Sequence, residues 1–316
     1  MRLLTHALTL GRALAAISLF GRRSRIVMVL DVTQGLYHTV AFDAIVFYPV
    51  FMPELAEVEY YRKQWDQGRG GKILAVEVHA DKKIFRGTDV AALQKTLPGS
   101  TLLGSETHGK QMLFRFSNGG WLGIHLGMSG ETRFEPADFA PLKHDHLVLR
   151  QAKRSLVLND PRQFGRVLFH HGKVAPKWWS DRPAEILSPK FTLKLVDDFL
   201  RRHGRAPIKA VLLMQSGFPG VGNWMADEIL WQSRINPARL ANKLRPAEIK
   251  TLYSRAKFVC RAALRTIGAT NGDPPKSWLI HHRWEAGGFC PRDGTALRRA
   301  EVGGRTTCWC PSCQKR

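Results

Sequence analysis

The stretch Met52-Pro53-Glu54-Leu55-Ala56-Glu57-Val58-Glu59 decides how the rest of the chain is interpreted, because it joins a candidate nucleophile to the start of a helix. The apolar side chains of Leu55, Val58 and Tyr61 are three residues apart, and glycines follow from Gly68 onward. An apolar spacing of three that ends in glycine predicts a helix, here from Glu54 to about Gln67.

The nitrogen of Pro53 is reactive only if it begins the chain. A proline at a free N-terminus is a secondary amine, and α-amino groups titrate near roughly pH 8, so part of the amine is unprotonated at neutral pH. Such an amine can attack an electrophilic carbon and form an iminium. A proline inside a chain is an amide and lacks this reactivity, and in this sequence residues 1–51 precede Met52.

Residues 1–51, which we call the leader, carry five Arg, no Lys and two acidic residues. An Arg-rich segment that is poor in acidic residues is typical of a transit peptide. The alternative is upstream sequence translated from a start codon that is placed too early. The chemistry of Pro53 favours this second interpretation, with Met52 as the true start.

The composition indicates a polyanion as the binding partner. The 316 residues include 48 Lys and Arg against 26 Asp and Glu, which gives a formal net charge of +22. A chain this basic most often binds nucleic acid, although a basic enzyme with another substrate has the same balance. No apolar run reaches the roughly 18 residues of a membrane span. The length predicts two or more modules.

Residues 72–171 have the pattern of short strands separated by turns, and the period becomes helical from about Pro183. The candidate strands are 72–78, 111–116, 121–126, 146–150, 155–158 and 166–170. The candidate helices are 191–203, 206–215, 223–233 and 246–267. Several short strands at this spacing predict an antiparallel sandwich, followed here by a helical module and a hairpin-like tail.

Three glycine-containing turns are candidate binding elements. The turn Pro219-Gly220-Val221-Gly222-Asn223 runs into a helix, so its N–H groups would suit a phosphate, with Asn223 as N-cap or ligand. A tight turn between two helices is the equal alternative. The other two turns present Met128, and Arg162 with Phe164, either as ordinary core and surface residues or as wedges that enter a nucleic-acid stack.

The C-terminal tail has the spacing of a metal site. Two C-x-x-C knuckles would indicate tetrahedral zinc, but Asp293 occupies the second position of the first knuckle. Zinc would be held by three cysteines with Asp293, or with Cys308 as a substitute, and a hairpin that folds without metal is the alternative. The candidate ligands are Cys290, Asp293, Cys308, Cys310 and Cys313.

Seven motifs in this order resemble the formamidopyrimidine-DNA glycosylase/endonuclease VIII family of base-excision repair enzymes. They run from Met52 to Arg316: M-P-E-L-x-E-V-E, H-G-K, H-L-G-M-S-G, K-H-D-H, D-P-R-x-F-G, G-V-G-N and the finger with G-R-x-T. The resemblance implies an α+β fold with a β-sandwich at 52–182, a helix–two-turn–helix domain at 183–284 and a zinc-finger hairpin at 285–316. Damaged double-stranded DNA would lie in the cleft between the domains.

The resemblance also implies roles for individual residues. Pro53 is the expected nucleophile and Glu54 the proton donor, with Lys110 associated with β-elimination and Arg305 with δ-elimination. Met128, Arg162 and Phe164 are expected to fill the gap left by a flipped nucleotide. The remaining DNA-contacting residues are expected to be Glu57, His144 and Asn223.

The implied function is a bifunctional DNA glycosylase and AP lyase that uses one structural zinc ion and no small-molecule cofactor. We expect a monomer with no membrane association, in the cytoplasm or nucleoid of a bacterium, or in an organelle or nucleus if the leader is a targeting segment. The alternatives are an inactive relative that binds damaged DNA without cutting it and, more remotely, a zinc-ribbon transcription factor.

The sequence departs from the family pattern at several positions besides the leader and Asp293. Gln163 stands where a second arginine often follows Arg162, and Trp224-Met225 replaces an Ile-Tyr-like pair. The segment 270–282 is short where some members carry a longer loop over the lesion. The lesion class therefore stays open between 8-oxoguanine, ring-opened purines and oxidised pyrimidines.

Overall fold

The structure is a computed structural model that describes residues 13–20, 23–30, 38–42, 52–284 and 287–315. The chain divides into two compact units, Met1–Val50 and Phe51–Arg316. In the first unit, three strands form an antiparallel sheet in the order β1-β2-β3: Ala13–Phe20 (β1), Arg23–Leu30 (β2) and His38–Phe42 (β3). The interpretation of 1–51 as a leader falls mostly outside the described residues and stays a prediction.

Two four-stranded antiparallel sheets form the predicted sandwich, in the orders β4-β9-β10-β8 and β11-β7-β6-β5. The strands are Ala75–Val78 (β4), Leu102–His108 (β5), Gln111–Phe116 (β6), Gly120–His125 (β7), Glu131–Pro136 (β8), Asp145–Arg150 (β9), Arg154–Asn159 (β10) and Arg166–His171 (β11). The predicted turn between β6 and β7 is present, with Gly119 at φ 81°. Strands β5 and β8 were missed.

Helices are concentrated between Leu193 and Thr270, and two further helices precede the strands β5 to β11. Their bounds are Leu55–Asp66 (α1), Val90–Thr96 (α2), Lys177–Ser180 (α3), Leu193–Arg202 (α4), Ile208–Leu212 (α5), Asn223–Ser233 (α6), Pro246–Arg265 (α7) and Ile267–Thr270 (α8). Short 3-10 turns lie at Lys83–Phe85, Ala241–Lys243 and Leu279–His281. None of the described helices is both long and apolar enough to cross a bilayer.

Helix α1 belongs to two hydrophobic cores. Its residues Val58 and Trp65 are buried in the sandwich core, whereas Ala56 is buried in the core of the helical module. The indole nitrogen of Trp65 donates to the carbonyl oxygen of Val157 in β10, at 3.2 Å. The helix therefore fixes the positions of Pro53 and Glu54, which precede it, relative to both modules.

The C-terminal tail is the predicted hairpin, formed by Arg298–Val302 (β12) and Arg305–Trp309 (β13). Gly303 and Gly304 connect the strands with φ values of 61° and 74°, a conformation that suits a two-residue hairpin turn. A Cβ atom on Gly303 would lie 2.6 Å from the Cβ atom of Ala210 in α5. The tip of the hairpin is thus packed closely against the helical module.

A buried ion network also ties the hairpin to the helices. The Asp227 carboxylate in α6 accepts hydrogen bonds from Lys209 of α5 and from the guanidinium group of Arg283. It also accepts from the backbone N–H of Cys308 in β13, at 3.1 Å. All three ionic side chains are at most 4% exposed. The α+β architecture of sandwich, helical module and hairpin is confirmed, while the domain boundaries at 182/183 and 284/285 stay predictions.

Candidate active site

The Glu54 carboxylate occupies the N-terminus of helix α6. It accepts backbone hydrogen bonds from Gly222 at 2.9 Å, Trp224 at 3.0 Å and Met225 at 3.1 Å. A Cβ atom on Gly222 would lie 2.2 Å from the Glu54 Cδ atom, so only glycine permits this approach. The N–H groups and the positive end of the helix dipole both stabilise a negative charge at this position.

This arrangement corrects two expectations about the turn 219–223. The N-cap of α6 is Gly222 and not Asn223, and an internal carboxylate takes the N–H groups that were considered for a phosphate. The Asn223 side chain instead reaches the hairpin, where its Nδ2 atom donates to the carbonyl oxygen of Thr306 at 2.9 Å. Its Oδ1 atom is buried without a hydrogen-bond partner. Asn223 is therefore placed beside the hairpin residues that follow Arg305.

Burial gives Glu54 the protonation behaviour of a general acid. Loss of solvent, with a smaller contribution from the charge of Glu57, raises its pKa to about 7 against the opposing effects of Lys110 and the backbone N–H donors. A carboxyl group with this pKa is partly protonated at neutral pH and can both donate and accept a proton. The proton donor predicted from the sequence is thus a carboxyl group suited to that role.

Lys110 lies beside the residues that precede Glu54 in the chain. Its Nζ atom is 3.9 Å from the Sδ atom of Met52, the residue bonded to Pro53. Burial lowers the pKa of Lys110, opposed by the charges of Glu54 and Glu57 and reinforced by Arg305. The structure therefore brings together four of the predicted residues: two from the segment just before α1, one from the turn before β6 and one from the hairpin. They are Pro53, Glu54, Lys110 and Arg305.

Glu57 stabilises this arrangement from the first turn of α1. Its carboxylate accepts from the backbone N–H of Glu54 and from the indole N–H of Trp224, each at 3.2 Å. The Trp224 that departs from the family pattern is therefore a partner of Glu57 and links the two helices. Glu57 is buried next to Glu54, and its role in contacting DNA stays a prediction.

A second group gathers the residues expected to fill a vacated stack. A Cβ atom on Gly127, which precedes Met128, would lie 2.4 Å from the carbonyl carbon of Phe164, so the two turns are in contact. The Phe164 side chain is 48% exposed, and the guanidinium carbon of Arg162 lies 4.9 Å from the centre of its ring. An exposed aromatic and an exposed guanidinium beside a half-buried methionine form a surface that suits stacking and phosphate contacts.

Asp160, to which the sequence assigned no role, organises this second group. Its carboxylate accepts from the hydroxyl of Ser129 at 2.9 Å and from the N–H of Gly165 at 2.7 Å. Its own N–H donates to the carbonyl oxygen of His144 at 3.0 Å. Through these contacts, the buried Asp160 holds the residues that flank Met128 and Phe164 together with His144.

The Gln163 side chain also has a hydrogen-bond partner, because its Oε1 atom accepts from the Lys83 N–H at 3.2 Å.

His125 connects the two groups and was likewise missed. It pairs with Gln111, which follows Lys110, and it comes three residues before Met128. Its Nδ1 atom accepts from the N–H of Gly127 at 3.0 Å, and burial lowers its pKa to about 4 with help from the charge of Lys110. His125 is neutral at physiological pH and acts as a fixed acceptor. The sequence signal that could have identified His125 was its position near the end of a predicted strand.

Four of the five candidate metal ligands form one group. The ligand atoms of Cys290, Asp293, Cys310 and Cys313 all lie within 4.8 Å of one another. The sulphur atoms of Cys290 and Cys313 are 3.9 Å apart, close to the ~3.8 Å that two thiolates on one tetrahedral zinc ion would have. Cys308 is not one of these four residues and is buried in a small cluster that Trp231 shares with Cys290 and Cys310. The donor set fits a tetrahedral ion with Asp293 as fourth ligand, and the alternative with Cys308 is not supported.

Comparisons with known proteins match this architecture over most of the chain. The family model described as the formamidopyrimidine-DNA glycosylase N-terminal domain matches residues 52–167, and the model of the H2TH domain of the same enzyme matches residues 183–273. A formamidopyrimidine-DNA glycosylase of Roseiflexus sp. is 37% identical over 278 residues, which cover 84% of this chain and all of the relative. One of Pelotomaculum thermopropionicum is 32% identical, over 84% of this chain and 99% of the relative.

Solved structures give the same result. The Lactococcus lactis Fpg protein in complex with DNA that contains N7-benzyl-Fapy-dG superposes with a TM-score of 0.76 at 28% identity, over 84% of this chain and all of that chain. The same protein bound non-covalently to DNA with an AP site gives a TM-score of 0.74 over 83% of this chain. The sandwich, the helical module and the hairpin are thus shared with a protein that has been solved in complex with damaged DNA.

Proposed function

The chain belongs to the formamidopyrimidine-DNA glycosylase family, and on that premise we propose that it removes damaged bases from double-stranded DNA and then cleaves the strand. The observation that carries the proposal is the buried Glu54 carboxyl, with a pKa of about 7, between Pro53 and the N-terminus of α6. No role in packing requires a carboxyl group that is partly protonated at this position. A glycosylase requires one, because the sugar ring must gain a proton as the base departs.

The chemistry begins on Pro53. Once Pro53 is the first residue, the lone pair of its nitrogen forms a bond to C1′ of the deoxyribose as the bond between C1′ and the base breaks, and the base takes up the proton that the amine loses. Glu54 gives its proton to the ring oxygen O4′, so that the C1′–O4′ bond opens and an iminium forms. The resulting iminium acidifies the C2′ proton, so that the 3′ phosphate and then the 5′ phosphate are eliminated. Lys110 and Arg305 neutralise these phosphates, and Asn223 helps to position them.

The second group of residues acts on the DNA duplex rather than on the bond between the base and the sugar. A base inside a duplex is out of reach of Pro53, so the nucleotide must be extruded, which costs less free energy for a damaged base. Met128 and Phe164 would occupy the vacancy, and Arg162 and His144 would hold the neighbouring phosphates. Since these are charge contacts, affinity should fall steeply with added salt.

The four-ligand group would hold one structural zinc ion through Cys290, Asp293, Cys310 and Cys313. When bound, such an ion supplies a rigid tether and no step of the reaction. The hairpin it fixes carries Arg305 and the carbonyl oxygen that accepts from Asn223. The ion would therefore affect catalysis only by positioning the hairpin that carries Arg305. The protein would work as a monomer, with the nucleoid as its site of action in a bacterium.

The test compares three proteins on a duplex with one damaged base. A chain that begins at Pro53 should release the base, nick the strand and form a covalent adduct with DNA when borohydride is present. The substitution Pro53→Ala in that chain keeps a primary amine, whereas an added N-terminal acetyl group removes the amine. Retention of full base release and nicking by the acetylated protein, with no reductive adduct in the unacetylated one, would overturn the proposal.

A protein that only binds damaged DNA is the second candidate. It is favoured by one observation, the amide state of Pro53 in the 316-residue chain. Intact-mass measurement of protein made from its native gene separates the two functions. A chain that starts at Pro53 supports the enzyme, and a stable full-length chain that binds abasic DNA without nicking it supports the binding function.

A further inference from the structure

We propose that Arg182 binds a backbone phosphate of the DNA strand that carries the damaged base. The residue lies between β11 and α4, two positions after the short helix α3, and the sequence assigned no role to it. The inference rests on the proposed function, because it adds a contact to the same DNA. It concerns binding alone, so it can fail while the chemistry of Pro53 stands.

Helix α3, which precedes Arg182, is fixed on the sandwich by its two tryptophans. A Cβ atom on Gly123 in β7 would lie 2.5 Å from the Cη2 atom of Trp178, so this ring packs directly on the strand. The indole N–H of Trp179 donates to the Glu106 carboxylate in β5 at 3.1 Å. The segment that leads to Arg182 is therefore held in place on two strands.

The same segment packs on the turn that carries Lys110. The ring of His108, which ends β5, meets the Trp179 ring edge-on, with 6.0 Å between the ring centres. The Nε2 atom of His108 donates to the carbonyl oxygen of Pro183 at 2.7 Å. Residues on both sides of Arg182 thus contact His108, and Lys110 follows two positions later. Arg182 therefore lies near a lysine that is proposed to meet phosphates of the damaged strand.

The charge of Arg182 also acts on the active site. Burial lowers the pKa of His125, and the charges of Lys110 and Arg182 lower it further. The two cations are therefore both close to one imidazole, which is itself neutral at physiological pH. An anion bound beside His125 would be attracted by both of them.

The guanidinium group of Arg182 is positioned by stacking, yet it has no polar partner. Its central carbon lies 4.8 Å from the centre of the Trp179 ring. Its Nε atom is buried without a hydrogen-bond partner, and burial lowers its pKa with no opposing carboxylate among the described residues. The group still stays charged at neutral pH.

This unpaired donor indicates an acceptor from outside the protein. Buried donors in folded proteins nearly always have a partner. A guanidinium that is stacked on an aromatic ring also keeps its N–H edge free to bind a phosphate through two hydrogen bonds. In a cleft that binds DNA, the acceptor is an oxygen atom of a backbone phosphate.

The first experiment measures how salt affects binding. The affinity of the full 316-residue chain for a duplex with a tetrahydrofuran abasic site is determined over a range of NaCl concentrations. Arg182→Gln should weaken binding about tenfold at low salt and should reduce the slope of log Kd against log [NaCl] by about 0.9, the value for one phosphate. Arg182→Lys retains the charge, so it should retain the slope while losing part of the affinity.

The second experiment identifies the phosphate. A single methylphosphonate linkage, which carries no charge, is placed in turn at each backbone position around the abasic site. At one position on the damaged strand, this linkage should weaken binding by the unsubstituted protein and leave the affinity of Arg182→Gln unchanged. A purely structural role of Arg182 would not produce this pattern.

The matched control is Arg255→Gln, which removes an exposed arginine of α7 whose guanidinium carbon lies 5.8 Å from the centre of the Phe258 ring. It removes the same charge and the same kind of stacking, and it should leave the slope unchanged. Thermal unfolding checks that each variant is folded, and Arg182→Met is a second neutral variant that keeps an apolar contact with Trp179.

Three results would each contradict this inference: an unchanged slope in the neutral Arg182 variants, an equal change in Arg255→Gln, or a methylphosphonate effect that is the same in Arg182→Gln at every position. Base release by a chain that begins at Pro53 is measured in parallel. If the base is released while the slope is unchanged, only the role of Arg182 fails. If the slope falls but no base is released, the proposed function fails and the phosphate contact stands.

Discussion

Glu54 accepts three hydrogen bonds from the start of α6 and lies beside the nitrogen of Pro53. The sequence could predict a carboxyl group beside Pro53, because the motif that begins at Met52 is contiguous. It could not predict that this carboxyl group binds Gly222, since 168 residues separate Glu54 from Gly222 and a glycine-rich turn before a helix suits any anion. Asp160 was missed for a related reason, because its carboxylate joins Ser129 of one turn to Gly165 of another.

The substitution Gly222→Ala tests the close approach of Glu54 to α6. The added methyl group would overlap the Glu54 carboxyl, so we expect a loss of about 1–3 kcal/mol in the free energy of unfolding, together with a large loss of base release. Urea denaturation and single-turnover kinetics measure the two effects. Gly104→Ala is the matched control, because the nearest atom to its Cβ is 4.0 Å away. Equal behaviour of the two variants would contradict the packing described here.

The pKa of Glu54 predicts a pH dependence for base release. The protonated fraction of the carboxyl falls as pH rises through about 7, while the unprotonated fraction of the Pro53 amine rises up to roughly pH 8. For a chain beginning at Pro53, the rate should therefore be level between these two values and decline about tenfold per pH unit above roughly pH 8. Glu54→Gln should lower base release by roughly 10²–10⁴-fold. Glu77→Gln, an exposed residue paired with Arg150, is the control. A rate that keeps rising to pH 9 would exclude Glu54 as the acid.

At the scale of elements, the sequence predicted best where the apolar pattern was strong. The predicted bounds of β6 and α6 agree with the structure. Strands β5 and β8 were missed because their sequences, LLGSETH and ETRFEP, mix glycine, small polar and charged residues that hide a period of two. Edge strands of this kind are specified by the neighbouring strand as much as by their own side chains.

The hairpin yields a prediction about metal binding. Asp293→Ala should weaken Zn²⁺ affinity at least tenfold because it removes one of four ligands, whereas Asp293→Cys should retain binding through four thiolates. Competition with a chromophoric chelator measures the affinity, and the Co²⁺ absorption spectrum reports the ligand set. Cys308→Ala and Asp273→Ala are controls that should bind metal normally. A loss of binding in Cys308→Ala without a loss of folding would restore the alternative ligand set.

At the scale of the whole molecule, the modules are joined by shared parts rather than by a simple interface. Helix α1 contributes Val58 to the sandwich core and Ala56 to the helical core. The buried Asp227 joins α5, α6 and the hairpin. The sequence could indicate the order of the modules, but it could not show this sharing, because the partners are far apart along the chain.

The substitution Asp227→Asn tests whether this buried ion network holds the hairpin on the helices. It leaves Lys209 and Arg283 buried with an uncompensated charge, which typically costs about 3–5 kcal/mol. We expect a much lower urea midpoint and weaker protection of the β13 amides in hydrogen exchange. Asp198→Asn, an exposed residue paired with Lys194 on α4, should show little change. Similar midpoints for the two variants would mean that the buried network does not hold the hairpin.

The three N–H donors around Glu54 have a consequence for the life of the protein in the cell. They come from a part of the chain that is synthesised long after Glu54 itself, so a nascent or partly unfolded molecule has an ordinary, water-exposed acidic residue there. The buried proton donor of the reaction is therefore assembled only once the start of α6 has packed against Glu54. An enzyme that cuts DNA thus gains its proton donor only as it folds.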